Sequence, residues 1–257
     1  MVRLVFYRNS NAALMSIASV LRSVGNKVYE HAFPIYRPLY GAYKGYADRA
    51  ERQLLRRTLS PGDVAVDVGA NIGIYTQLLS RWVGPTGFVH SFEPSPENFG
   101  RLQSVTRKLV NVRLSQSAVG ESSRKTTLYV SDKLNVDHRA YLTEGDSRHT
   151  VPIEMIALDD YFKPGERVDL IKMDIQGYEL HALRGARRVL ADNPGIKLLF
   201  EFWPYGLKQA GANWVELIGA LKENGKLIQQ VSSKGLTGFD PGSANESEAW
   251  YINLFAS

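Results

Sequence analysis

Val64-Ala-Val-Asp67-Val-Gly69-Ala70-Asn71-Ile72-Gly73 runs from an apolar stretch, through a carboxylate, into a glycine-punctuated turn and then a helical pattern. An almost unbroken Val/Ala run describes a strand covered on both faces. Gly69 and Gly73 permit a tight turn and close approach of backbone to a ligand, and the following helix aims its free N–H groups there. Asn71 stands in place of the middle glycine of a dinucleotide loop. Asp67, at the strand end, would repel a pyrophosphate and suits a ligand carrying ammonium and sulfonium charges. That favours S-adenosylmethionine over a dinucleotide; the plain alternative is a turn whose glycines serve packing alone.

The same rhythm continues outward from this turn. Candidate strands are Val64–Val68, Phe88–Phe92, Asn111–Ser115, Val168–Met173, Ile196–Phe202, Lys226–Val231 and Ala249–Phe255, with helical patterns at 72–82, 95–109, 177–191 and 213–223. Continuous Val/Ile/Leu strands spaced by helices indicate a parallel sheet, doubly wound. Two further strand-like stretches, Thr126–Val130 and Pro152–Ile156, fall in an extra segment at about 120–165. Only a polar Gly/Ser-rich loop, 232–247, separates the last two strands, which makes them antiparallel and predicts a reversed strand at the sheet edge. The expected fold is α/β: a mostly parallel seven-stranded sheet with an antiparallel last strand, over residues 60–257, preceded by a helical extension, residues 1–59.

Chemistry-bearing residues cluster at the strand ends. Glu93 lies twenty residues past Gly73, at the end of the second strand, where an acid accepts both ribose hydroxyls. Gln116 and Ser117 follow the third strand and are placed to hydrogen-bond an adenine, or simply to form a polar turn. In Lys172-Met-Asp174-Ile-Gln-Gly-Tyr-Glu179, Lys172 and Asp174 share a strand face, so Lys172 is expected to hold Asp174 ionised. A structural ion pair is the competing reading. The fifth strand ends in Glu201-Phe-Trp203-Pro-Tyr205, an acid followed by an aromatic lip.

Taken in order, Asp67-Val-Gly-Ala-Asn-Ile-Gly73, Phe92-Glu-Pro94, Leu158-Asp-Asp160 and Lys172–Glu179 with Leu183-Arg-Gly-Ala186 resemble the FkbM methyltransferases over about residues 60–205. The resemblance implies a class I, Rossmann-like S-adenosylmethionine-dependent fold and O-methylation of a hydroxyl on a sugar, glycan or polyketide-type product. It carries Asp67, Gly69, Asn71, Gly73 and Glu93 over as cofactor contacts and sets Asp174 near the transferred methyl. Ala70, Gln116 and Ser117 complete the expected cofactor set. Asp174 is the expected base or clamp on the acceptor hydroxyl, with Glu201 and Glu179 as reserves. Lys172, His138, Trp203 and Tyr205 are expected to touch the acceptor. No metal is expected, because five dispersed histidines and no cysteine leave only Asp174, Glu201 and Asp159 or Asp160 as scattered ligands.

The 257 residues carry a net charge of +5, unevenly spread. Residues 1–60 hold ten Lys/Arg against three acids, and the remainder is nearly neutral. A basic segment suits an anionic surface, substrate or partner, or a solvated helical face. Leu14, Ile17, Ala18 and Leu21 predict an amphipathic helix, whereas the Pro-, Gly- and Tyr-rich run His31–Lys44 reads as an irregular connector followed by a helix over Tyr46–Leu59. The expected partner is a small-molecule or glycan acceptor. Membrane contact through residues 1–45 and a homodimer are secondary options, and the expected location is cytoplasmic. Nucleic-acid methylation is disfavoured because Asp174-Ile-Gln-Gly177 replaces an Asn/Asp-Pro-Pro-aromatic loop. A non-catalytic nucleotide- or membrane-binding protein and an NAD(P) dehydrogenase are the other rivals.

Overall fold

A computed structural model describes residues 29, 31–131, 138–142 and 148–257. The amphipathic stretch at 12–21 and most of the polar segment 131–150 lie outside the described residues. The core of the molecule is an eight-stranded sheet in the order β10-β9-β11-β8-β7-β1-β2-β3. Its strands are β1 (Val64–Val68), β2 (Phe88–Phe92), β3 (Val112–Ser115), β7 (Leu170–Met173), β8 (Lys197–Phe202), β9 (Ile228–Ser232), β10 (Gly235–Gly238) and β11 (Ile252–Ala256). From β3 across to β8 all pairings are parallel.

Alternation along each strand sends residues to two cores. Val66, Val68, Ile171, Met173, Leu198 and Phe200 pack on one face, beneath helices that supply Leu183, Val189 and Leu217. Ala65, Val89, Leu170, Leu199 and Phe255 pack on the other, against Leu55, Leu79 and Val83. This second face therefore carries Asp67, Lys172 and Glu201, the residues two beyond Ala65, Leu170 and Leu199.

Two expectations about the sheet are corrected. The reversed strand is not at the edge: β11 inserts antiparallel between β8 and β9. The loop after β9 is in part a strand, since β10 forms a hairpin with β9 and becomes the edge. The extra segment makes a second, three-stranded sheet of β4 (Ser117–Val119), β6 (His149–Ile156) and β5 (Arg124–Val130).

The expected connector at His31–Lys44 is instead helix α1 (Phe33–Ala47), followed by α2 (Arg49–Thr58). Pro34 falls in the first turn, where a missing N–H costs nothing. Aromatic rings at helical spacing outweigh the weak propensity: Tyr36 stacks on Tyr40 at 5.3 Å and meets Tyr29 edge-on at 5.3 Å. Arg101 lies 4.0 Å over the Tyr29 ring and 4.2 Å over Phe33.

The remaining helices are α3 (Ile74–Val83), α4 (Pro96–Thr106), α5 (Leu158–Tyr161), α6 (Glu179–Arg184), α7 (Arg187–Asp192), α8 (Pro204–Gln209) and α9 (Trp214–Glu223). The single helix expected at 177–191 is thus two. The Asp159 carboxylate divides them, accepting the N–H groups of Arg188 and Val189 at 2.9 Å and capping α7. Among the described residues no helix is long and apolar enough to cross a membrane.

Candidate active site

A cleft opens at the C-terminal ends of β1, β2, β4 and β7, lined by Gly69, Asn71, Glu93, Ser117, Asp174 and Gln176 beside the apolar wall Phe92, Val119 and Leu128. Gly69 has φ 77°, and a Cβ there would lie 2.2 Å from the Asp174 carbonyl oxygen, so only glycine lets the β1 and β7 loops meet. Gly73 serves packing: a Cβ would sit 2.8 Å from Leu102 of α4. It does not line the cleft.

Glu93 is buried, and its two oxygens accept the N–H groups of Asn71 at 2.8 Å and Ser95 at 2.9 Å. Burial pushes its carboxyl up to about 7, against these hydrogen bonds. Ser117 lines the cleft and shares a hydroxyl contact of 2.9 Å with Ser115, whereas Gln116 is exposed and points elsewhere. The cofactor expectation for Gln116 is corrected accordingly: the residue between two short strands turns its side chain outward.

Asp67 lies behind this cleft, not in it. It is completely buried, accepts the Thr76 hydroxyl at 2.8 Å and pairs with Lys172 at 3.3 Å. The two are direct register partners on β1 and β7. Lys172 also sits 4.7 Å over the Tyr75 ring. The expected Lys172–Asp174 pair is thereby corrected: Lys172 is held by Asp67 and acts on Asp174 through space.

Asp174 begins the loop after β7. Its Oδ1 accepts the Gln176 side-chain amide at 3.0 Å, and Gln176 is fixed in turn by Tyr141, whose hydroxyl donates to its carbonyl at 2.6 Å. Burial alone would raise the Asp174 carboxyl, but positive groups including Lys172 and Lys44, with the Gln176 amide, hold it below the ordinary range.

A second groove adjoins the first, and Asp174 lines both. Its walls are Tyr43, Lys44, Asp48 and Glu51 from α1 and α2, Tyr75 from α3, Lys172, Glu201, Gln230 and residues 249–253. A small recess containing Ala70, Asn71, Lys44 and Lys172 lies between the two and also includes Asp174. Lys44 pairs with Asp48 at 2.6 Å, and the Tyr75 hydroxyl donates to Asp48 at 3.0 Å. Glu51 accepts the Asn253 amide at 2.5 Å.

Other expected site residues are placed elsewhere. Glu179 is completely buried, outside every cleft; one oxygen accepts the Ile175 N–H at 3.2 Å, and burial pushes its carboxyl up to about 8. It braces the loop that presents Asp174 and lines neither cleft. Trp203 is buried, donating its indole N–H to the Glu248 carbonyl at 3.1 Å, and is internal packing; Tyr205 is half-buried and lines neither cleft. His138 lines the first cleft, not the groove, and meets the Ser131 N–H at 3.3 Å. Asp160 accepts the Ser123 hydroxyl at 2.5 Å and lines neither cleft. Among the described residues no cluster of three His, Asp or Glu could hold a metal.

A family profile described as the methyltransferase FkbM domain matches residues 67–228. The chain belongs to the FkbM methyltransferase family. Its sheet order and reversed β11 are those of the class I methyltransferase fold. Methyltransferase 1 of Beauveria bassiana (strain ARSEF 2860) is 29% identical over 144 residues, which is 47% of this chain and 57% of the relative. The 31-O-demethyl-FK506 methyltransferase FkbM of Streptomyces tacrolimicus is 42% identical over 74 residues, 28% of each chain. The chain thus matches little more than half the length of one curated relative and about a quarter of the other. A crystal structure of methyltransferase FkbM from Methylobacillus flagellatus aligns with 18% identity and a TM-score of 0.49, covering 85% of this chain and 60% of that one. The FkbM segment contains Asp67, Glu93, Asp174 and Glu201; α1, α2 and β11, which build much of the second groove, lie outside it.

Sequence reasoning missed Tyr75, Glu51, Asn253 and Gln176. Gln176 was visible in the motif around Asp174, but the others come together only through the packing of α1, α2 and β11 on the sheet.

Proposed function

We propose that this protein is an S-adenosylmethionine-dependent O-methyltransferase acting on a hydroxyl of a sugar, glycan or polyketide-type small molecule. The observation that carries the reading is Asp174, which faces both the cleft fitted to an adenosine and the separate polar groove. The donor set suits this cofactor. Glu93 offers a carboxylate to the ribose diol, Ser117 a hydroxyl, and Phe92, Val119 and Leu128 an apolar wall to the base. Gly69, lacking a Cβ, leaves the loop backbone open to close approach.

When bound, S-adenosylmethionine supplies an electrophilic methyl group on a sulfonium centre. Asp174 accepts the acceptor's O–H hydrogen bond, orients that oxygen along the line of attack and takes its proton at Oδ2. A carboxylate held below the usual range is a weak base, which suffices because a hydroxyl becomes strongly acidic as it is alkylated. Gln176 fixes the carboxylate plane through Oδ1. Lys172, anchored by Asp67, keeps the site positive enough for Asp174 to stay ionised. Glu201, on the groove wall, is the reserve acceptor. The name of the Streptomyces tacrolimicus relative, a 31-O-demethyl-FK506 methyltransferase, supports oxygen as the methylated atom.

Calorimetric titration with S-adenosylmethionine, its demethylated product and NADH tests the cofactor. The first two are expected to bind at a single site and NADH not at all. NADH binding without S-adenosylmethionine binding would overturn the reading.

A further inference from the structure

A third groove, on the outer side of the α1–α2 helix pair, runs between α2 and α3. Arg49, Arg52, Gln53 and Arg56 line one wall, and Arg81 and Trp82 line the other. The three α2 arginines recur at i, i+3 and i+7, so they form one stripe along about 10 Å of helix. No carboxylate lines this groove, and among the described residues none of these four arginines forms an ion pair. The acids of the helix pair, Asp48 and Glu51, are turned to the opposite side, into the groove beside Asp174. Nε and Nη2 of Arg52 are buried without a hydrogen-bond acceptor, so the exposed forks of the groove are those of Arg49, Arg56 and Arg81.

Stability accounts for only part of this arrangement: Arg56 lies in the last turn of α2, where the helix dipole favours a cation, and the Arg52 guanidinium lies 5.9 Å over the Tyr75 ring. Like charges at helical spacing repel, and Arg49 lies in the first turn of α2, where the helix dipole disfavours a cation. Guanidinium forks match phosphate oxygens two at a time, and several forks along 10 Å suit more than one phosphate. We propose that this groove binds a diphosphate-class anion. Helix α3 contributes to both grooves: Tyr75, in its first turn, lines the groove beside Asp174, and Arg81 and Trp82, in its last, line this one. The assignment does not depend on methyl transfer.

The test is calorimetric titration of the full chain with pyrophosphate, beside the double variant Arg56→Gln/Arg81→Gln, whose altered side chains are both exposed. Saturable binding is expected, weakened about tenfold or more in the variant and by added salt, with thermal unfolding unchanged. Sedimentation with vesicles of equimolar phosphatidylcholine and phosphatidylglycerol separates the sources. Vesicle binding that pyrophosphate displaces and the variant lacks supports the site with a lipid headgroup as ligand. Pyrophosphate binding without vesicle binding supports it with a soluble phosphate ester. Absence of saturable pyrophosphate binding, equal binding by the variant, or retention of single-stranded RNA that pyrophosphate does not displace would each overturn the proposal.

Discussion

Asp174→Asn keeps the shape of the side chain and the acceptor for the Gln176 amide while removing the charge that both clefts share. Turnover is expected to fall by ~10²–10⁴ with the fold intact and cofactor affinity little changed. Single-turnover kinetics and thermal unfolding on one preparation check this; a destabilised variant with the wild-type rate would reduce Asp174 to a structural role. At Glu93 the free carboxyl titrates at about 7, so it must lose its proton to accept two ribose hydroxyls. Cofactor affinity is therefore expected to decline as pH drops below about 7, and Glu93→Gln to be weaker by ~1–3 kcal/mol and insensitive to pH over that range. Calorimetry across pH 6–8 decides it, and an unchanged affinity in the variant would remove Glu93 from the site. Alanine is the poorer choice, because the buried carboxylate also ties down the Asn71 and Ser95 backbones. Glu93 could be read from the chain because its role follows from distance along it: strand, turn, helix, strand. The partner of Lys172 could not. Lys172 and Asp174 are close in sequence, but the residue that meets Lys172 sits beside it on the neighbouring strand, and lateral register is not written in local spacing.

At the level of elements, β1 and β2 coincide with the apolar runs read from the chain, since a strand buried on both faces leaves no other pattern. Helix α1 was hidden by Pro34, Pro38, Gly41 and Gly45, whose cost is offset by aromatic packing visible only once α1 lies against α4. The expected boundary at residue 59 is likewise bridged by packing. Leu55 of α2 is completely buried against Ala65, Leu79 and Phe255. Leu55→Ala is expected to cost about 2–5 kcal/mol although it lies outside the FkbM segment. Urea unfolding should show one transition moved to lower denaturant; two separate transitions would show that residues 1–59 unfold apart from the rest.

Across the whole molecule, two buried acids set how stability varies with pH. Glu93 and Glu179 titrate at about 7 and about 8 when folded, above an unfolded glutamate. Their protonated forms favour the fold, so that contribution is complete below about pH 4 and is lost as pH rises through 7 and 8. Glu179→Gln, neutral throughout and still able to accept the Ile175 N–H, is expected to raise the melting temperature at pH 8–9 and to leave it nearly unchanged at pH 5. A melting curve that responds equally at both values would show that Glu179 is ionised in the fold. The placing of β11 has a different consequence, for how the sheet is completed. Strands β8 and β9 are joined only through β11, so before it docks each keeps a row of unpaired N–H and C=O groups. The sheet stays split until residues 252–256 slide between them, so a chain that folds without β11 carries two adhesive edges beside the groove that Asp174 lines.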